Sequence, residues 1–381
     1  MRRKRALFVY FFIPGLALAS WVTRTPAIRD GIQASIAEMG MVLLGLSLGS
    51  MTGVLCAGKL VGWRGTRWTA LLGLWLVLAS LVTMAAGTLA GQQFVVAAGL
   101  ALFGLGMGAA EIAVNMDGAE VERKLGRPVL HALHGCFSLG TLTGALLGYA
   151  LSGLGVAAAW HLGAVALLVV PLILCFWRDI PAGTARVAGS VVSAKVKHRV
   201  WSDPRVLWIG LIVFAMALAE GAANDWLPIL MVDEHGFSEA AGSLIFVAFA
   251  AAMTLGRFGG GGLLQRFGRV TAIRLCAGLG ALGIALVVFS SHPLLAGAAV
   301  FLWGIGASLG FPVALSAAGD GGEGAADRVK AVAIIGYVAL LVGPPMLGFL
   351  GEAHGLRSAM LVVLLLVVAA AVMAPALRAQ R

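Results

Sequence analysis

Charge is scarce in this sequence. Asp, Glu, Lys and Arg make up 12% of the 381 residues, against 60% hydrophobic residues, and the mean hydropathy is +0.97. Soluble domains carry roughly 25% charged residues, so a soluble globule is excluded. Cysteine is nearly absent. Cys56, Cys136, Cys175 and Cys276 fall inside apolar runs without paired spacing, which argues against a disulfide framework or metal site and leaves buried thiols as the reading. The short alternating segments of a membrane barrel are also lacking. No nucleophile-base pair, phosphate loop or metal cluster with catalytic spacing is present, so the chain does not read as an enzyme.

What the sequence does contain is apolar runs of the length a helix needs, about 20 residues, to cross a hydrocarbon core of about 30 Å. They predict spans near 6–23, 40–61, 68–87, 93–116, 130–152, 157–177, 206–226, 240–263, 270–290, 294–316, 329–351 and 357–377, twelve in all. Arg2, Arg3, Lys4 and Arg5 precede an apolar run ending in Leu18-Ala19-Ser20, a pattern that imitates a secretory signal. The charges and Trp21 fit an uncleaved first span better, and cleavage would leave an odd helix count.

The net charge of +10 raises nucleic acid as a partner, so the placement of the basic residues matters more than their sum. With the N-terminus inside, 24 of the 27 Lys and Arg fall on the cytoplasmic side, Arg257 being counted with the group that runs to Arg274. Arg24, Arg29 and Arg357 are the exceptions. This positive-inside pattern puts both termini in the cytoplasm and accounts for the basic pI without nucleic acid. The longest break, Arg178 to Arg205, carries Pro181, Gly183, Ser190 and Ser193 and reads as a linker, giving a first bundle at 1–178, a linker at 179–205 and a second bundle at 206–381.

The halves repeat. Gly58-Lys-Leu-Val-Gly-Trp-Arg64-Gly65-Thr-Arg67 follows the second span and Gly261-Gly-Leu-Leu-Gln-Arg266-Phe-Gly268-Arg269 the eighth, 203 residues on. The same offset maps Ser35 onto Ser238, Gly53 onto Gly256 and Gly65 onto Gly268, as a duplicated six-helix unit requires. These segments resemble the signature loops of the major facilitator superfamily, although Gly62 and Gln265 stand at the family's acidic position. The resemblance implies an all-α membrane protein of twelve transmembrane helices in two pseudo-symmetric six-helix bundles, with Arg64, Arg67, Arg266 and Arg269 left to contact neighbouring helix ends. Glu111-Ile-Ala-Val-Asn115, followed by His131 to Gly140, is similar to the fourth and fifth helices of proton-coupled fucose permease relatives. Glu220-Gly-Ala-Ala-Asn-Asp225-Trp226 and Gly343-Pro-Pro-Met-Leu-Gly348 resemble a bacterial inner-membrane branch of the same superfamily.

Glu111 is the residue around which the functional reading is built. It ends an apolar and glycine run from Phe94 to Ala110, where an ionised carboxylate costs several kcal/mol unless it is paired or faces water. Asn115 lies one turn on, and His131 and His134 open the next helix as candidate hydrogen-bond partners. The family resemblance places Glu111 and Glu220 on helices that line a central cavity. Neither acid is matched across the repeat, Glu220 falling near Ala17 and Glu111 opposite Phe311, as expected of groups that serve a solute rather than the scaffold. A structural acid remains the competing reading for both. Asp225 and Trp226 read either as cavity residues or as a solvated acid beside an interfacial aromatic. His134 is either a proton partner or a buried hydrogen-bonder, and Arg24 with Thr25-Pro26 either an anion site or a loop charge.

Gly45, Gly49, Gly53 and Gly140, Gly144, Gly148 repeat at four residues and read as close packing between the bundles. Pro14, Pro312, Pro344 and Pro345 fall within spans and suggest kinks or gates. Trp21, Trp75, Trp226 and Trp303 offer faces for stacking or interfacial anchors. Together these features predict a monomeric proton-coupled secondary transporter of the bacterial inner membrane. It would move a small polar solute by alternating access, powered by the proton gradient and without a cofactor. Proton-antiport export of a metabolite or drug, and a non-transporting membrane sensor of the same fold, are the alternatives.

Overall fold

Away from water, a backbone must satisfy its own N–H and C=O groups, and a helix does so within each span. All secondary structure among the described residues of the computed structural model, 2–125, 129–182, 184, 198–320 and 324–378, is helical. Gly183, Ser190 and Ser193 of the expected linker, and Arg127, lie outside the described residues. The chain divides into two compact units, Met1–Ala194 and Lys195–Arg381.

The first unit holds α1 (Arg2–Val22), the short α2 (Thr25–Gly31), α3 (Ile36–Arg64), α4 (Thr66–Leu89), α5 (Gln93–Leu125), α6 (Leu130–Gly153) and α7 (Ala158–Phe176). The second holds α8 (Pro204–His235), α9 (Glu239–Phe289), α10 (Pro293–Ala307), α11 (Gly310–Ala318), α12 (Ala325–His354) and α13 (Leu356–Met373). Eleven described stretches are long and apolar enough to cross a membrane. One of them, the 51-residue α9, is two helices joined at the non-helical Gly268, about 44 Å before it and about 32 Å after it at 1.5 Å per residue, so it supplies two crossings. The protein is a multi-pass membrane protein of twelve crossings.

Three expectations need correction. The signature segments are helix ends rather than loops: Gly58 to Arg64 belong to α3 and Gly261 to Phe267 to α9, and the chain turns at Gly65 and Gly268 alone. The tenth span is interrupted after Ala307, because Pro312 has no N–H to bond the carbonyl of Ser308 one turn earlier. The fourth helix runs on to Leu125 and so carries Asp117, Glu120 and Glu122.

The duplicated register is visible in the packing. In the first unit α1 lies against α6, both α3 and α4 against α5, and α4 against α7; in the second α8 lies against α12, and α9 against α10 and α13. A methyl group at Gly104 would strike the carbonyl oxygen of Leu46, and one at Gly304 that of Phe249, the residue equivalent to Leu46 in the second half. Ser35 and Ser238 each cap the helix that follows, accepting from the backbone N–H of Glu38 and Ala241.

The glycine rows pack helices within the first unit, where packing between the bundles was expected. Side chains at Gly45, Gly49 and Gly53 would collide with the carbonyls of Ala97, Ala101 and Leu105 on α5. Those at Gly140 and Gly144 would collide with the carbonyls of Phe12 and Leu16 on α1, and one at Gly148 with the Thr23 side chain. The expectation of buried thiols also fails in part: Cys276 is buried, Cys136 half-buried, and Cys56 and Cys175 exposed.

Candidate functional site

The helix that carries Glu111 extends about 27 Å before it and about 21 Å after it, so the acid stands near the middle of α5, at the end of its apolar run and before its charged last turns. Glu111 and Asn115, one turn apart on one helical face, are both half-buried. His134 is exposed near the start of α6 and sets its ring edge against Phe11 of α1, with centroids 5.1 Å apart. The side chain of His131 lies outside the described residues.

In the second unit Glu220 stands at the middle of α8, midway between Pro204 and His235. Its Oε1 accepts a hydrogen bond from Nη2 of Arg257 at 2.9 Å. Arg257 lies within the first helical half of α9, about three turns before Gly268, and does not belong with the loop charges. Sequence reading missed it as a site residue because counting basic residues by loop absorbed it. An arginine inside an apolar span was the available signal. The side chains of Arg257 and Glu220 retain 38% and 27% of their exposure, so the pair is open to a third group.

Asp225 is half-buried, further along α8 beyond Glu220. Trp226 is a correction: it is fully buried, so it neither lines an open cavity nor anchors an interface. Trp21 and Trp303 are buried as well, and Trp303 Nε1 donates to the Ala219 carbonyl at 3.1 Å. Of the four tryptophans considered for stacking, Trp75 alone is exposed.

A polar cluster lies near the α3–α4 turn in the first unit. Arg3 donates to the buried Asp117 through Nε at 2.8 Å and Nη2 at 2.5 Å, and reaches Glu120 at 3.1 Å. Thr66, next to Gly65, donates to Asp117 at 3.0 Å. The second unit repeats the plan around Asp320, which receives Arg269, the residue after Gly268, and lies 3.9 Å from Arg205. The other signature arginines stack on aromatic rings: Arg64 over Trp63 at 4.2 Å, Arg67 over Trp177 at 4.8 Å and Arg266 over Phe267 at 5.4 Å. The Asp117 and Asp320 clusters and the Arg67–Trp177 contact join different helix ends beside the turns, whereas Arg64 and Arg266 stack on their own chain neighbours.

The three arginines that broke the charge pattern are each held by local partners. Arg24 is buried and donates to the Val156 carbonyl, a structural role in place of the anion site or loop charge expected of it. Arg29 pairs with Asp30 at 2.7 Å. Arg357 donates to Nδ1 of His235 at 2.9 Å and to the Ser290 carbonyl at 2.8 Å. Among the described residues no three His, Cys, Asp or Glu side chains converge as metal ligands would.

The chemistry available is therefore that of carboxylates in the middle of long helices, with Glu220 paired to the Arg257 guanidinium. Residues 6–334 match the family described as Major Facilitator Superfamily. An uncharacterized transporter of Sinorhizobium fredii is 30% identical over 98% of each chain, and an uncharacterized MFS-type transporter of Yersinia pestis is 32% identical over 94% of this chain and 92% of its own. Among solved structures, the nucleoside transporter NupG, in a variant form, superimposes with a TM-score of 0.79 over 98% of each chain at 15% identity. A variant of the Escherichia coli fucose:proton symporter FucP superimposes with a TM-score of 0.66 over 99% of this chain and 98% of its own, also at 15% identity.

Proposed function

This chain belongs to the Major Facilitator Superfamily, a family of transporters and not enzymes, and from that membership we propose that it is a proton-coupled secondary transporter for a small polar solute. The observation that carries the reading is the Glu220–Arg257 pair at half-height in the second unit, supported by Glu111 near half-height of its own helix in the first. A charge at that depth is costly unless it is compensated or wet, and such groups mark ion and solute pathways. In this reading the two units work by alternating access, exposing the solute site to each side of the bacterial inner membrane in turn, with both termini cytoplasmic. Protonation of Glu111 and Glu220 changes the cost of closing around the site and ties solute movement to the proton gradient. No cofactor is needed, and one chain suffices. The driving force is adequate, since one charge moving through 100 mV gains about 2.3 kcal/mol.

The test is flux in vesicles of purified protein loaded with a pH-sensitive dye, screened with sugars, polyols, organic acids and cationic drugs. The Glu111→Gln protein should still exchange solute and lose proton-driven accumulation. Full accumulation by the variant would sink the coupling role. Silence of the wild type in both proton movement and counterflow would favour a sensor over a transporter.

A further inference from the structure

We infer that Arg257 is the anchor for a carboxylate on the solute, and that the solute competes with Glu220 for it. This deepens the transport reading above and rests on it. The first ground is depth. Arg257 lies about 27 Å along α9 from its start and about 17 Å from Gly268, and Glu220 is central in α8. Neither residue has a charged counterpart in the other half, where the repeat puts Val54 in place of Arg257 and Ala17 in place of Glu220. The scaffold is therefore built once without the pair, so packing alone does not call for it.

The geometry of the pair is the second ground. One Nη2 hydrogen bond, to one carboxylate oxygen, is the contact made among the described residues. A guanidinium presents five donors in a planar fork that matches both oxygens of a carboxylate, so most of its donor capacity is uncommitted. With 38% of the side chain exposed, Arg257 is accessible to that second carboxylate. A bidentate pair is stronger than a single contact, so an incoming solute carboxylate can displace Glu220.

Charge balance sets the stoichiometry. With Glu220 ionised, the pair is neutral. When the solute carboxylate takes Arg257, the released Glu220 carboxylate would remain as an uncompensated charge at half-height, and taking up one proton restores neutrality. At this pair the exchange takes up one carboxylate and one proton and carries no net charge. Away from the helix ends, the other ionisable side chains of α8 and α12 are Asp225 and Tyr337; α10 and α11 contribute none, and the charges of α9, α12 and α13 other than Arg257 lie towards helix ends or the Gly268 turn. No second cation among the described residues stands at this depth to hold a dianion, so the geometry favours a monocarboxylate over a phosphate or dicarboxylate.

The experiment compares gluconate, galacturonate, lactate and benzoate with uncharged glucitol, galactose, glycerol and benzyl alcohol in the full-length protein in dye-loaded vesicles. At least one carboxylate should drive proton entry, and that flux should be unchanged when valinomycin and potassium set the membrane potential. Arg257→Gln should lower carboxylate flux roughly tenfold or more. Arg257→Lys, which keeps the charge without the fork, should retain an intermediate rate. Glu220→Gln should bind the carboxylate at least as tightly as wild type, read as thermal stabilisation in detergent, while losing proton entry. That last variant keeps the idea testable if Arg257→Gln does not fold. Flux confined to uncharged solutes, or carboxylate flux untouched by Arg257→Gln, overturns the inference and leaves transport standing. Absence of flux with both sets removes the transport reading together with it.

Discussion

Gly65 and Gly268, equivalent positions in the two halves of the chain, hold the same backbone conformation, with φ 88° and ψ 168° in one and φ 75° and ψ 169° in the other. That region is closed to residues with a Cβ, and in each half it is where one crossing turns into the next. The duplication is thus preserved in backbone angles where the surrounding side chains have diverged: Thr66 follows the first glycine and Arg269 the second.

Replacing either glycine should be costly and equally so. Gly65→Ala and Gly268→Ala should each destabilise by about 1–3 kcal/mol, read as a lowered thermal midpoint in detergent. Gly261→Ala, in the same signature segment but helical and with open space around it, should leave the midpoint unchanged or slightly raised. Equal effects at all three positions would show that the backbone angle is not what those glycines supply.

Gly49→Val should disrupt the contact between α3 and α5. A side chain there runs into the Ala101 backbone, which cannot swing aside as a side-chain tip can. Overpacking of this kind costs about 1–3 kcal/mol. Gly163→Ala on α7, with nothing nearby, is the control and should be neutral or mildly stabilising. The measurement is the difference between the two thermal midpoints.

Asp117 accepts from both Arg3 and Thr66 while its side chain is 1% exposed. Asp117→Asn should therefore leave the Arg3 charge short of its partner and destabilise by about 3–5 kcal/mol. The double variant with Arg3→Gln should recover part of that loss. A double-mutant cycle with no coupling between the two positions would exclude the pair as a structural bond.

The hydrogen bond between Arg357 and His235 imposes a sign on pH dependence. Arginine donates only, so Nδ1 of His235 accepts and the ring must be neutral. Protonation removes the acceptor and sets two cations side by side, while the neighbouring Glu234 carboxylate is engaged with the Leu356 N–H at 2.8 Å. The contribution of this contact is present where His235 is neutral and is lost as pH falls through its titration. Lowering pH from about 8 to about 5 should bring the thermal midpoints of wild type and Arg357→Gln closer together. A gap independent of pH would refute the tautomer assignment.

Much of this architecture could be read without coordinates, because the rules that set it are local. Span length follows from bilayer thickness, and Gly65 and Gly268 stand out because they recur at a fixed offset. The place of Glu111 at the end of an apolar run was legible, but its place near the middle of the helix was not, because α5 runs on to Leu125 through charged residues. The role of Arg257 was not, since an arginine counted towards a loop looks like any other topogenic charge until the helix is followed through it.

The sequence by itself determined that the chain is helical, that it crosses a membrane twelve times, and that its halves are copies. Each of these depends on composition, period or spacing within a segment. Tertiary structure decided which residues meet. It paired Glu220 with Arg257 on the next helix, folded the glycine rows into the first unit, and buried Trp226. Those outcomes depend on which face each helix turns to its neighbour, and an apolar helix in an apolar solvent carries too weak an amphipathic signal for that rotation to be read from the chain.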